Sequence, residues 1–190
     1  MSIRVIAGSA KGKRLKLVPG DSTRPIMDRV KEALFNIIGR DVIDSTWLDL
    51  FAGTGSVGIE ALSRGAKHAT LTDLNRNALK TIQSNLEQTK LGQNATVRRA
   101  DAFQLLKQPP PQPFDYIYIA PPQYKDMWLE CLKLLDNNQT WLTNNPKIIV
   151  QIDPSERQPQ QFQNLEEYDS RIYGKTLLWF FSIKDDQDEG

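Results

Sequence analysis

The chain has 190 residues, 39% of them hydrophobic and 25% charged, and a formal net charge of +1. That length and apolar content suit one α/β domain with a packed core and exclude a disordered or fibrous chain. A single cysteine, Cys131, excludes an internal disulfide framework. No apolar run reaches the ~20 residues that span a bilayer, and the start lacks the apolar core of a signal peptide, so a soluble cytoplasmic protein is expected.

The near-neutral total hides an uneven distribution. Residues 1–40 hold nine Lys or Arg against three Asp or Glu, whereas residues 150–190 hold four against nine. A basic N-terminal arm reads either as a local polyanion-binding surface or as a solvated pair of charged strands.

In chain order, Ile3, Val5 and Ile6, a Gly-containing turn, and Leu15–Val18 predict a hairpin. Its loop carries Lys11, Lys13 and Arg14, with Arg4 and Lys16 nearby. Residues 1–22 are expected to form this basic extension, residues 23–184 the main domain, and residues 185–190 a fraying tail. Val30, Leu34, Ile37 and Ile38 repeat at helical spacing over Asp28–Ile38, and Gly39 is a plausible stop. The other face of that helix is read as displaying Arg29, Lys31 and Glu32. The helix reads either as one simply packed on the sheet or as one whose start, Arg24, Asp28 and Arg29, reaches a substrate.

Thr46–Gly65 is the organising stretch. It reads as a buried strand, a turn Ala52-Gly53-Thr54-Gly55, and a helix over Val57–Arg64. The glycines permit a tight bend and a close ligand approach, and the helix offers unpaired N–H groups to a polar ligand. A second strand, Ala69–Asp73, ends in an acid twenty positions after Gly53, the spacing of a carboxylate that binds ribose hydroxyls. A polar helix over Asn75–Lys90 buries Ala78, Leu79, Ile82 and Leu86. The third strand, Ala95–Arg99, leads to Asp101. Phe114–Ile119 is a fully buried fourth strand running into Ala120-Pro121-Pro122-Gln123-Tyr124. A helix over Tyr124–Leu135, a strand over Ile148–Ile152, and a terminal hairpin of Leu165–Arg171 and Thr176–Ile183 complete the pattern. Cys131 falls on the apolar stripe of its helix and reads as a buried small hydrophobe. His68 has no partner motif and reads as structural.

Strands alternating with helices, followed by an antiparallel hairpin, give a three-layer α/β sandwich around a mostly parallel sheet. Gly53-Thr54-Gly55-Ser56-Val57-Gly58 satisfies the Gly-x-Gly-x-x-Gly pattern and by itself does not choose a cofactor. Three features favour S-adenosylmethionine over a dinucleotide. Asp49 in the first strand suits the methionine amino group. Asp73 and Asp101 end the next two strands, where ribose and adenine would lie, and a Pro-Pro turn with a nearby aromatic closes the fourth. The candidate cofactor set is Asp49, Phe51, Gly53, Gly55, Asp73, Leu74, Asp101 and Ala102. No metal-ligand pattern is present.

Asp49–Ala66 resembles the first motif of class I methyltransferases, a Rossmann-like seven-stranded fold. The chain is especially similar to the RsmD family of small-subunit (16S) ribosomal RNA guanine-N2 methyltransferases. The similarity runs through Arg4–Gly8 and Lys11–Leu15, through Thr23-Arg24-Pro25 and Asp28–Asn36, and through Arg171–Thr176. The resemblance implies an S-adenosylmethionine-dependent enzyme acting on ribosomal RNA or the small subunit, with Arg4, Lys11, Lys13, Arg14, Arg24 and Arg29 as RNA-binding candidates. A monomer and no membrane partner are expected.

The catalytic candidates are Ala120, Pro121, Pro122, Gln123 and Tyr124, and here the sequence departs from the family. The family carries Asp-Pro-Pro followed directly by Phe or Tyr; this chain has no carboxylate and its aromatic comes one position later. Guanine N2 is a poor nucleophile, and an acceptor for its N–H groups helps it become tetrahedral. The family pattern shares that role between the Asp and a Pro-Pro carbonyl while the aromatic stacks on an extruded base. Two readings follow: a working RNA methyltransferase with a modified acceptor turn, or a cofactor- and RNA-binding homologue without methyl transfer. A nicotinamide dehydrogenase is a distant third.

Overall fold

Apolar runs that alternate between the two faces of a strand settle where the layers form. In a computed structural model, which describes residues 2–20 and 25–185, the elements are β1 (Ile3–Arg4), β2 (Arg14–Leu15), α1 (Asp28–Ile38), β3 (Thr46–Asp49), α2 (Ser56–Ser63), β4 (His68–Asp73), α3 (Arg76–Thr89), β5 (Ala95–Arg99), α4 (Ala102–Leu106), β6 (Phe114–Ile119), α5 (Met127–Asn137), β7 (Leu142–Ile152), β8 (Leu165–Tyr173) and β9 (Thr176–Ile183). Arg24 and the tail beyond Asp185 lie outside the described residues.

The main sheet has seven strands in the order β5-β4-β3-β6-β7-β9-β8. Strand β9 alone runs against its neighbours, pairing antiparallel with β7 and β8. The expected three-layer α/β sandwich, with a seven-stranded, mostly parallel Rossmann-like sheet, is therefore observed. The order reverses between β3 and β6: β3 continues to β4 on one side and pairs with β6 on the other. Ligands bind in such sheets in the crevice outside the strand C-termini at that reversal.

Alternate residues of each strand feed two cores. Trp47, Tyr116, Tyr118 and Ile149 pack with α1, α2 and α3, while Leu48, Ile117, Ile119 and Val150 pack with α4 and α5. Trp47 stacks between Phe35 and Tyr116, with centroids 5.5 and 4.4 Å away. Cys131 is buried in the second core, and burial pushes its thiol up to about 12.

Three expectations about helices are corrected. Lys31, expected on the displayed face of α1, is fully buried; Phe35 takes the core position assigned to Ile37, which is 39% exposed. Helix α5 begins at Met127 rather than Tyr124. Tyr124 and Asp126 have φ of 61° and 50°, in the left-handed region that a right-handed helix cannot use. Helix α4 is an element the sequence reading did not assign.

The arm of residues 2–20 is fastened along α2. Ser9 N–H donates to the Ser63 carbonyl at 2.8 Å and Ala10 N–H to Ser63 Oγ at 2.9 Å. Gly8 (φ +85°) lies so close that a Cβ there would stand 1.8 Å from the Ser63 carbonyl oxygen. The tip of the loop, residues 8–11, thus sits at the C-terminal end of α2, about 12 Å, one length of that helix, from the glycine turn. Arg14, paired with Arg4, lies back toward the start of α2, where Lys31 bridges the Arg4 carbonyl and Ser56 Oγ.

Candidate active site

The site is built at the ends of β3 and β6. Asp49 closes β3 beside Tyr118 of β6 and is 1% exposed. Its Oδ1 has no hydrogen-bond partner among the described residues. Burial, and secondarily Asp73, push its carboxyl up to about 8, against the backbone N–H groups of Phe51 and Gly58. A buried carboxylate with an unanswered oxygen is costly unless a cation meets it. An amino-acid ammonium group fits that place, so the residues present suit the methionine end of S-adenosylmethionine. Tyr118, 3% exposed, has its phenol pushed up by burial and by Asp49, stays protonated, and donates to Gln151 Oε1.

The glycine turn wraps over this acid. Gly53 and Gly55 have φ of 55° and 78°, and a Cβ on Gly55 would press on Ile59 and Ile82 at 3.3 Å. Asp73 ties the turn down: its Oδ2 accepts from Gly53 N–H at 2.9 Å and its Oδ1 from Asn75 N–H at 2.8 Å. Leu74 beside it is 54% exposed, an apolar surface suited to a purine face. Asp101 ends the strand segment after β5 and caps α4, its Oδ1 accepting from Gln104 N–H at 2.9 Å. Ala102 is buried and Phe51 half-buried. The fold thus brings all eight candidate cofactor residues to the C-terminal edge of β3, β4 and β5.

At the end of β6, Ala120 is half-buried and packs toward the core cluster that holds Tyr118. Pro121 is buried, Pro122 exposed, Gln123 half-buried and Tyr124 67% exposed. Tyr124 N–H donates to Glu156 Oε1 at 2.8 Å and its hydroxyl to Asp153 Oδ2 at 3.2 Å.

Of the basic candidates, Lys11, Lys13 and Arg14 are exposed on the arm. Arg4 pairs with Asp28 at 3.2 Å. Arg29 is exposed near Gly174, where a Cβ would lie 3.5 Å from Arg29 Nη2, and it follows Asp28, the partner of Arg4 on the arm.

Three groups escaped the sequence reading. Glu60, fully buried, accepts from Ile6 and Ala7 N–H at 2.9 and 3.0 Å and pairs with Lys31 at 3.4 Å and Arg64 at 2.8 Å. Lys31 donates to the Arg4 carbonyl at 2.6 Å and to Ser56 Oγ, at the start of α2, at 2.9 Å. Burial lowers its pKa, opposed by Glu60. Asn85, also fully buried, accepts from Lys16 N–H at 2.7 Å and donates to the carbonyls of Lys16 at 3.1 Å and Thr54 at 2.9 Å. An acid inside the apolar run Val57–Leu62, and an Asn on the buried stripe of α3, were the available signals. The third group is Asp153 with Glu156; nothing local in the sequence points to it.

The family model described as Conserved hypothetical protein 95 matches residues 3–182. Ribosomal RNA small subunit methyltransferase D of Escherichia coli is 33% identical over 174 residues, covering 92% of this chain and 86% of that one. The chain belongs to the RsmD family. Bacillus subtilis YlbH is 39% identical over 176 residues, covering 92% of this chain and 95% of its own. The solved structure of Escherichia coli yhhF superposes with a TM-score of 0.85 at 32% identity, covering 97% of this chain and 99% of that one. These matches span both the basic arm and the terminal hairpin, so the RsmD-family resemblance extends well beyond the glycine turn that many nucleotide-binding folds share.

Proposed function

We propose that this chain is an S-adenosylmethionine-dependent RNA methyltransferase that methylates guanine N2 in small-subunit ribosomal RNA, working as a cytoplasmic monomer. One observation carries the reading: the buried Asp49 carboxylate, with its Oδ1 unpartnered among the described residues, stands beside a glycine turn and next to the strand that ends in Ala120–Tyr124. A site for a cationic amino acid and a turn for an acceptor thus adjoin. The names of the Escherichia coli and Haemophilus influenzae relatives support the RNA substrate.

When bound, S-adenosylmethionine supplies an electrophilic methyl group on a sulfonium. Asp49 holds the ammonium, the N–H groups around Gly53 and Gly55 line the close approach, Asp73 and Asp101 receive the ribose and adenine polar groups, and Leu74 covers a purine face. The Pro121 carbonyl accepts one N–H of the target amine, and the Gln123 amide oxygen takes the role that Asp has in the family pattern. Tyr124 stacks on the extruded base. A missing carboxylate acceptor costs roughly a hundredfold in rate if nothing replaces it. Residues 1–22 serve the 23–184 domain as an RNA-facing extension, with Arg4, Lys11, Lys13, Arg14, Arg24 and Arg29 meeting phosphates.

The test is transfer of labelled methyl from S-adenosylmethionine to unmethylated small-subunit RNA and to assembled subunits. Incorporation by the wild type is expected. No incorporation, with activity gained by Ala120→Asp, would instead support the homologue that has lost methyl transfer.

A further inference from the structure

An exposed tyrosine with a left-handed backbone persists only where its surroundings impose it. Tyr124 is such a residue, with φ of 61° and 67% of its surface open. The segment that follows β7 imposes the conformation at three points. Glu156 Oε1 accepts the Tyr124 N–H at 2.8 Å and Asp153 Oδ2 accepts its hydroxyl at 3.2 Å. Gln158 Nε2 donates to Oδ1 of Asp126, the other left-handed residue of the turn, at 3.3 Å.

Glu156 is the centre of this clamp. It is only 7% exposed, and its second oxygen, Oε2, accepts from Asp153 N–H at 3.3 Å to close a capping box over Pro154–Glu156. Asp153 in turn accepts from Ser155 N–H at 2.9 Å and Ser155 Oγ at 2.7 Å. Those donors hold its carboxyl below the usual range, so it is ionised when it receives the phenol. One buried carboxylate therefore fixes the Tyr124 backbone with one oxygen, and with the other fixes the residue that holds the phenol.

The ring itself gains little burial from this arrangement. Two polar anchors at opposite ends of an open aromatic plate leave its faces free, which is the form of a surface that stacks an unpaired base. Holding the plate before the base arrives removes the cost of ordering it on binding.

We propose that Glu156 is a positioning residue that reshapes the acceptor turn, so that Tyr124, displaced by one place in the sequence, presents its ring to the target base. This rests on the methyltransferase reading, and it assigns to the 153–158 segment the compensation for the one-place displacement of the aromatic.

The test compares full-length Glu156→Ala, Glu156→Gln, Tyr124→Ala and the Glu156→Ala/Tyr124→Ala double variant, each checked for folding by its melting temperature. In methyl transfer, Glu156→Ala is expected to lower kcat about tenfold or more while the Kd for S-adenosylhomocysteine and the KM for RNA change less than about twofold. Glu156→Gln, which keeps a carbonyl oxygen for the Tyr124 N–H but loses the acceptor for the Asp153 N–H, should recover part of the loss. The double variant should be no worse than Tyr124→Ala, because both act through the same ring. Multiplicative losses, or an unchanged kcat in Glu156→Ala, overturn the proposal.

A second readout needs no methyl transfer. A single-stranded RNA containing 2-aminopurine should lose fluorescence on binding wild type and Glu156→Gln, but not on binding Glu156→Ala or Tyr124→Ala. Equal quenching by all four overturns the stacking plate. An inactive wild type that still quenches would contradict the proposed reaction and leave the clamp standing.

Discussion

Asp49 concentrates the electrostatic strain of the site. Its carboxyl is raised to about 8 by burial, well above the ~3.9 of an unfolded chain. A raised folded pKa means the neutral form is preferred in the free protein. The stability this group contributes is present below about pH 4 and is lost as pH rises through about 8. A bound ammonium reverses the preference and favours the ionised form. Cofactor binding at pH 7 is therefore expected to release a proton, seen as a dependence of calorimetric enthalpy on buffer ionisation enthalpy. Affinity should rise with pH by up to about tenfold per unit between about pH 6 and the point at which the ligand's own ammonium begins to lose its proton, and fall beyond it. Asp49→Asn should abolish both effects and weaken S-adenosylhomocysteine binding. A pH-independent affinity in the wild type would contradict the assignment. This residue was legible in the sequence because an acid at the end of a buried strand has few structural uses. Its unanswered oxygen was not, because that depends on Tyr118 and on the turn packed above it.

At the scale of elements, the arm and the glycine turn are one hydrogen-bonded unit. Lys31 and Glu60 join the Arg4 backbone to the start of α2, and Asn85 joins the Lys16 backbone to Thr54. Lys31→Met leaves the Arg4 carbonyl and the buried Ser56 Oγ without their donor, while Glu60 keeps Arg64 and two backbone N–H groups; it should lower the urea-unfolding free energy by about 1–3 kcal/mol. Asn85→Ala leaves backbone groups of the arm and the turn unsatisfied, and should cost about 2–3 kcal/mol while weakening S-adenosylhomocysteine binding severalfold. Unfolding and binding titrations check both; an unchanged cofactor affinity in Asn85→Ala would separate the arm from the turn. The sequence named the elements well here, since apolar periodicity and Gly39 delimit α1 and alternation marks the strands. It misread Lys31 because a basic residue on an amphipathic helix is usually solvated, and only the distant Glu60 makes its burial affordable. The start of α5 was missed for a related reason: the left-handed turn at Tyr124 depends on Glu156, 32 residues later.

Across the whole molecule, the strand order places every candidate cofactor residue on one edge and the acceptor turn on the adjoining strand. The basic residues spread along α2, with Lys11 near its far end and Arg14 back beside Arg4 near its start, and Arg29 follows Asp28, the partner of Arg4. Replacing Lys11, Lys13 and Arg14 by Ala should weaken RNA binding and reduce the slope of log K against log salt by about 2, for three phosphate contacts at ~0.7 each. Cofactor affinity should not change, and an unchanged salt slope would remove the arm from the RNA interface. The central claim is that the altered Ala120–Tyr124 turn still transfers a methyl group to guanine N2. Its most direct test is mass spectrometry of nucleosides from small-subunit RNA incubated with the wild-type protein and S-adenosylmethionine. The account predicts N2-methylguanosine. No methylated nucleoside, or a methyl group on a different atom, would contradict it.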